Sequence, residues 1–266
     1  MLKKADSLMN QLDYSLEKKL DLFDKSKSRY MLRAFLACLF LTLGSAVAFS
    51  IASKGDHIAP GLGKMLYAFM FSWSLVMIVY LNAELGTSNM MYFTVGFYQR
   101  RVTFSKAATV LVTCILFNLI GGVVVGFLMS KTTIFTELPK DDYIFTAVTA
   151  KLMKTPLQIF VEGIFANIVV NTAVMASMRM KDDAAKVISL IFIIYIFAFL
   201  GFEHVIANFP AFSLAYFASG GTLAAMTFSA VGTNLLLAFL GNFVGGGLVM
   251  GLGYAWLNKT DSIYQD

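Results

Sequence analysis

Glu203 and His204 stand side by side in the stretch "FLGFEHVIANFP" (199–210), and Glu203 carries the only charge between Lys186 and Lys259. An ionisable side chain in such apolar surroundings costs at least a few kcal/mol and therefore points to function. Histidine, with an ordinary pKa of about 6.5, is suited to taking up and releasing a proton near neutral pH. The alternative for His204 is a core histidine satisfied by a backbone carbonyl. Glu203 has two possible tasks: passing a proton, or accepting hydrogen bonds from N–H groups freed where a helix is interrupted. Glu84, in "NAELGTSNMMYF" (82–93), poses the same choice. Thr87 and Ser88 offer hydroxyls that either face a pore or cap a helix beginning at Met90. Asn167 and Asn171, one helical turn apart, give a polar stripe suited to interhelical hydrogen bonding or to lining a pore. Lys151 and Lys154 precede Pro156. A lysine near a pore mouth concentrates anions, whereas Lys154 is expected to snorkel to headgroups.

The elements that must position these groups are membrane helices. Hydrophobic residues make up 58% of the 266 and charged ones 14%, with a mean hydropathy of +0.72, far from a soluble domain. Uncharged runs at 34–52, 65–81, 107–130, 156–177 (interrupted at Glu162), 187–202 and 205–257 predict about six passages of about 20 residues. They are apolar all round, which excludes the alternating strands of a β-barrel. Leu8, Leu12, Leu16 and Leu20 recur every four residues between charges, the stripe of an amphipathic surface helix. With the N-terminus on the cytoplasmic side, fifteen Lys and Arg fall inside and six outside, so both termini are expected there. The predicted organisation is an amphipathic segment (1–33), one transmembrane domain (34–257) and a short tail (258–266). Cys38 and Cys114 lack metal spacing and read as small apolar side chains.

The chain repeats itself. "FNLIGGVVVG" (117–126) returns as "GNFVGGGLVM" (241–250), matching Asn118, Gly121 and Gly122 to Asn242, Gly245 and Gly246. Three spans per copy invert the second copy in the membrane, giving repeats at 34–130 and 155–257. The glycines spaced four apart read as helix contact surfaces. In each copy the second helix is interrupted. Val187–Leu200 is 14 residues, about 21 Å, followed by Gly201 and by Pro210, which suits the first turn of a new helix. The first copy shows an apolar helix to Leu81, then the polar knot 82–89. Paired interruptions of this kind mark transport sites, and they place Thr87 near His204 at the midplane.

The motifs "GFEHVIANF", "ELGTSN", "EGIFANIVVN" and the paired N-x-x-G-G runs resemble the formate/nitrite transporter family from about residue 30 to 257. The resemblance implies an all-α, aquaporin-like six-helix bundle of inverted repeats with broken second and fifth helices. It further implies a homopentamer, each protomer with its own pore for formate, nitrite or hydrosulfide, in a bacterial inner membrane. His204 corresponds to a central pore histidine, Thr87 to its partner, Asn167 to a nearby donor and Lys151 to a vestibule lysine, with Glu203 and Asn208 flanking the histidine. Ser88 and Leu85 join this set from the first interruption. Leu85-Gly86-Thr87 departs from the family's Leu-Phe-Thr; either another aromatic closes the slit, Phe202 being a candidate, or the pore admits a different or larger ion. The partners implied are small anions, protons, lipid and further copies of the chain; neither nucleic acid nor a cofactor is expected.

Two other classes are weaker. An aquaporin-like pore for water or neutral solutes requires Asn-Pro-Ala at both half-helix starts, and the chain has only Asn208-Phe209-Pro210-Ala211. A membrane enzyme or metal carrier lacks a His/Cys/carboxylate cluster of ligand spacing, with only two histidines in the sequence.

Overall fold

The computed structural model describes residues 7–260, so Lys3, Lys4 and most of the tail expected at 258–266 lie outside the described residues. Helix α1 (Leu8–Lys25) precedes span one, α2 (Lys27–Ile58). Span two is α3 (Leu62–Phe71) and α4 (Trp73–Tyr80), half-helix α5 covers Gly86–Tyr98, and span three is α6 (Phe104–Ser130). A short α7 (Tyr143–Leu152) leads into the second copy. There α8 (Pro156–Arg179) is span four, α9 (Asp183–Leu200) is span five and α10 (Val205–Ala218) is the second half-helix. Span six runs as α11 (Phe228–Asn242), a π-helical stretch Phe243–Leu252 and α12 (Gly253–Leu257). Six of these segments are long and apolar enough to cross a bilayer, and the bundle is all-α with three spans per copy.

The two copies pack alike because the repeated motif does the same work in each. A Cβ on Gly121 would stand 2.6 Å from the Phe35 carbonyl, and one on Gly245 would stand 2.1 Å from that of Ile164. Only a bare Cα lets span three approach span one, and span six approach span four, so closely. Three residues before each glycine, Asn118 Nδ2 donates to Ala34 O (2.6 Å) and Asn242 Nδ2 to Gly163 O (2.8 Å).

Each second helix ends in a left-handed residue. Asn82 (φ 51°) follows α4 and Gly201 (φ 70°) follows α9, and each turns the chain into a short extended segment before the half-helix. The boundaries differ from the sequence reading in three ways. Helix α5 starts at Gly86, four residues before Met90, with no side-chain cap at Leu85, so Thr87 and Ser88 sit inside its first turn rather than capping it. Helix α9 has 18 residues, about 27 Å, rather than 14, because Asp182 accepts the Ala185 N–H and winds the charged turn into the helix. Pro210 lies within α10 rather than opening it. The carbonyl that its missing N–H leaves free, Ile206 O, receives the Cys38 thiol at 3.8 Å.

Helix α1 buries Leu8, Leu12 and Leu16 in a cluster with Tyr92 of α5 and Val174 of α8. Its stripe thus faces protein. Ion pairs from Asp13 and Glu17 to Arg101, and from Asp24 to Lys106, fasten the helix across one face of the bundle.

Candidate functional site: a polar midplane between two half-helices

The starts of α5 and α10 meet from opposite faces. Thr87 Oγ1 and His204 Nε2 are 2.8 Å apart, with exposures of 0% and 2%. His204 is the N-cap of α10, its Nδ1 accepting the Ala207 N–H at 3.1 Å. That bond fixes the tautomer of the neutral ring: Nδ1 is the acceptor, so Nε2 carries the hydrogen and donates it to Thr87. Asn167 Nδ2 reaches the Thr87 carbonyl (3.1 Å) and the Asn242 carbonyl (2.7 Å), joining span four to both halves.

The backbone on either side of this pair is clamped by two asparagines. Asn242 Oδ1 accepts the Val205 N–H (2.8 Å) and Asn242 Nδ2 donates to Glu203 O (2.9 Å), bracketing His204. In the first copy Asn118 Oδ1 accepts the Gly86 N–H (2.9 Å) and Asn118 Nδ2 donates to Glu84 O (2.9 Å), bracketing Leu85. Leu85 therefore occupies the position equivalent to His204. In the sequence these asparagines serve only to mark a duplication; their clamping role becomes visible once the broken segments are placed against them.

Each interruption also carries a buried carboxylate with matching partners. Glu203 accepts from Lys151 (3.1 Å) and Lys154 (2.7 Å) at Oε1, and from Asn208 (2.8 Å) and Asn234 (3.2 Å) at Oε2. Glu84 Oε2 accepts from Lys19 (2.8 Å) and Asn89 (3.0 Å). Lys19 belongs to α1, so the amphipathic helix completes the charge balance of the first interruption. The C-terminal carbonyls of the broken helices take cations as well, Arg33 on Asn82 O (2.7 Å) and Lys154 on Gly201 O (2.8 Å), as the negative end of a helix favours. Lys154 thus points inward, correcting the expectation that it snorkels to headgroups: Gly201 O, Glu162 and the buried Glu203 carboxylate together outcompete the interface.

A chamber of about 20 Å³ lies beside the pair, lined by His204, Leu85, Ser74, Phe71 and Phe197 together with aliphatic side chains. It has room for about one water. A larger cavity of about 460 Å³ opens on the α1 face, where Lys19, Arg33, Glu84 and Ser88 line it. Leu75, Ile78 and Leu85 line both, and form the partition between them. The aromatics of the chamber are Phe71 and Phe197, spans apart in sequence and unmarked by any motif. The Phe202 ring stacks on Phe165 at 5.9 Å outside the chamber, and its carbonyl receives Lys151. A Cβ on Gly86 would meet Ile115, Asn118 and Ile206, so the departure at that residue faces packed protein. Among the described residues no group of three or more His, Cys, Asp and Glu could hold a metal ion.

The arrangement is one buried histidine–hydroxyl pair beside a small, mostly apolar chamber, with a charged cluster at each interruption. The profile of the formate/nitrite transporter family matches residues 6–256. A nitrite transporter, NirC, of Escherichia coli (strain K12) is 30% identical over 220 residues, covering 82% of this chain and 80% of that one. Among solved structures, a chain described as an FNT family ion channel superposes with a TM-score of 0.86 at 24% identity, over 94% of this chain and 98% of its own. A pentameric formate channel with formate bound matches at a TM-score of 0.75 and 27% identity, over 88% and 97%. Taken with the duplicated, clamped interruptions, a match running over nearly the full length makes this chain a multi-pass member of the formate/nitrite transporter family, a transporter and not an enzyme.

Proposed function

We propose that the protein is a channel for small monovalent anions of weak acids, formate or nitrite, with hydrosulfide as the alternative cargo. One observation carries most of the reading: Thr87 Oγ1 and His204 Nε2 lie 2.8 Å apart where half-helices from the two copies abut. A bare anion entering the chamber beside them loses its hydration among leucine, isoleucine, valine and phenylalanine side chains, at a cost of several kcal/mol. The neutral acid escapes most of that cost. On this reading Lys151 draws the anion to the mouth beside Glu203, the anion acquires a proton at the constriction, and the acid passes His204 held by hydrogen bonds from the pair.

The cap sets a condition on proton delivery. The resting ring holds its hydrogen on Nε2, and a second proton must go to Nδ1, where it displaces the Ala207 N–H. Proton loading of His204 is therefore coupled to release of the α10 cap. Fifteen of the 21 Lys and Arg on one side support a cytoplasmic location for both termini in a bacterial inner membrane. The likeness to a solved pentameric channel supports a homopentamer.

Uptake into proteoliposomes of formate, nitrite and hydrosulfide, at two external pH values and one internal pH, tests the reading. The expected result is a flux that rises with inward proton supply and loses that dependence in His204→Phe. A wild-type flux indifferent to pH, or a variant with the wild-type profile, refutes the proton step.

A further inference from the structure

The two copies superpose their clamps but not their charges. Asn118 binds the carbonyl of Ala34 and Asn242 that of Gly163, which makes Ala34 and Gly163 equivalent positions on spans one and four. Phe35 and Ile164, the next residues, confirm the register, since their carbonyls face Gly121 and Gly245. The residues just before are therefore equivalent too, and they are Arg33 and Glu162. At one position of the repeat the charge is reversed.

The consequence is read from the groups around each interruption. On the α1 face the cavity is lined by Lys18, Lys19 and Arg33 against Asp21 and Glu84. Lys19 is paired with Glu84 and Asp21 with Lys25, so that beside the exposed Lys18 the half-buried Arg33 leaves that mouth with positive charge in excess. On the opposite face Lys151 and Lys154 stand against Glu203 and Glu162. Both lysines contact Glu203, and Lys154 also contacts Glu162. Four charges cancel there. Near that mouth, Asp56 in the last turn of α2 accepts the Gly63 N–H and Lys64 in the first turn of α3 lies over the Phe199 ring, one further charge of each sign.

We propose that the Arg33/Glu162 reversal makes the pore asymmetric toward anions: the mouth on the α1 face binds the permeating anion more tightly than the mouth beside α7, and Glu162 is the residue that holds the second mouth neutral. This rests on the anion-channel reading above and adds to it a direction. A unit charge on the order of 10 Å from the anion, partly screened, changes half-saturation by about two- to fivefold. Glu162→Gln keeps a hydrogen-bonding partner for Lys154 while removing the charge, and the change is expected to appear at one mouth only.

The test is anion uptake into proteoliposomes holding the full-length protein in one orientation, assayed in right-side-out and inverted preparations at low and at high ionic strength. Half-saturation for formate and for nitrite is expected to be two- to fivefold lower from the α1 face in the wild type. Glu162→Gln should lower it from the opposite face until the two agree, Arg33→Gln should raise it from the α1 face, and all three differences should shrink in high salt. A purely structural effect of either variant would lower the maximal rate from both faces and would not respond to salt. Equal half-saturation from both faces in a wild type that carries the anions overturns this inference alone. A wild type that carries neither anion overturns the channel reading along with it.

Discussion

Replacing Asn242 with alanine separates holding the site from doing its chemistry. The side chain satisfies three buried backbone groups: the Val205 N–H (2.8 Å), the Glu203 carbonyl (2.9 Å) and the Gly163 carbonyl (2.8 Å). A hydrogen bond between membrane helices contributes about 0.6–1.7 kcal/mol, so losing three costs about 2–5 kcal/mol. That corresponds to a fall of about 5–15 °C in Tm at this chain length. Asn118→Ala removes the matching bonds to Gly86 N–H, Glu84 O and Ala34 O, and should cost about the same. The two variants part company in transport. Asn242 brackets His204, and loosening it gives up the Thr87 contact, about 1 kcal/mol or about fivefold in flux, together with a shift in the pH profile. Asn118 brackets Leu85, which has no proton to exchange, so Asn118→Ala should lose stability while its remaining flux keeps the wild-type pH profile. Thermal unfolding in detergent and proteoliposome uptake across pH, run on both variants, decide the matter. The reasoning is refuted if both shift the pH profile alike, or if Asn242→Ala keeps wild-type flux and profile.

Three further outcomes are expected. Gly201 sits at φ 70° with nothing within 4 Å of a notional Cβ; Gly201→Asn should therefore unfold close to wild type while Gly201→Val loses about 1–2 kcal/mol, read as a Tm difference between the two. A Cβ on Gly246 would stand 2.1 Å from Asn167 Nδ2, so Gly246→Ala should displace the amide that ties Thr87 to Asn242 and cut both Tm and uptake, whereas Gly232→Ala, in open space, should change neither. Lys19→Met leaves the buried Glu84 carboxylate with Asn89 as its remaining neutral donor, and should expose the α1–α2 junction to limited proteolysis that the wild type resists.

Much of this architecture can be read from the sequence because the repeat is written in residues that tolerate no substitute at a close contact. A glycine facing a carbonyl and an asparagine facing three backbone groups recur at matching offsets, and they disclose both the duplication and the inversion. The meeting of Thr87 with His204 follows from that symmetry. What stays hidden depends on the third dimension. Lys154 looks like an interfacial lysine until Gly201 O, Glu162 and Glu203 are found within its reach. Phe71 and Phe197 line the chamber from different copies, and nothing in their own neighbourhoods distinguishes them from lipid-facing phenylalanines. Local sequence misleads on helix starts where charge or proline dominates, as at Asp183 and Pro210, because a side-chain cap and a distant thiol satisfy groups that local sequence leaves open.

The clamps grip the residues on either side of positions 85 and 204 but make no demand on the side chain between them. The frame thus presents two identical sockets, of which one holds an imidazole and the other an aliphatic plug. A change at the Leu85 socket alters what lines the chamber without disturbing the hydrogen bonds that keep the broken helices in place, whereas a change at His204 also gives up the cap of α10. New selectivities are then reachable by single substitutions that need no compensating repair of the fold, and a gene duplicated once has kept a spare position in which to try them.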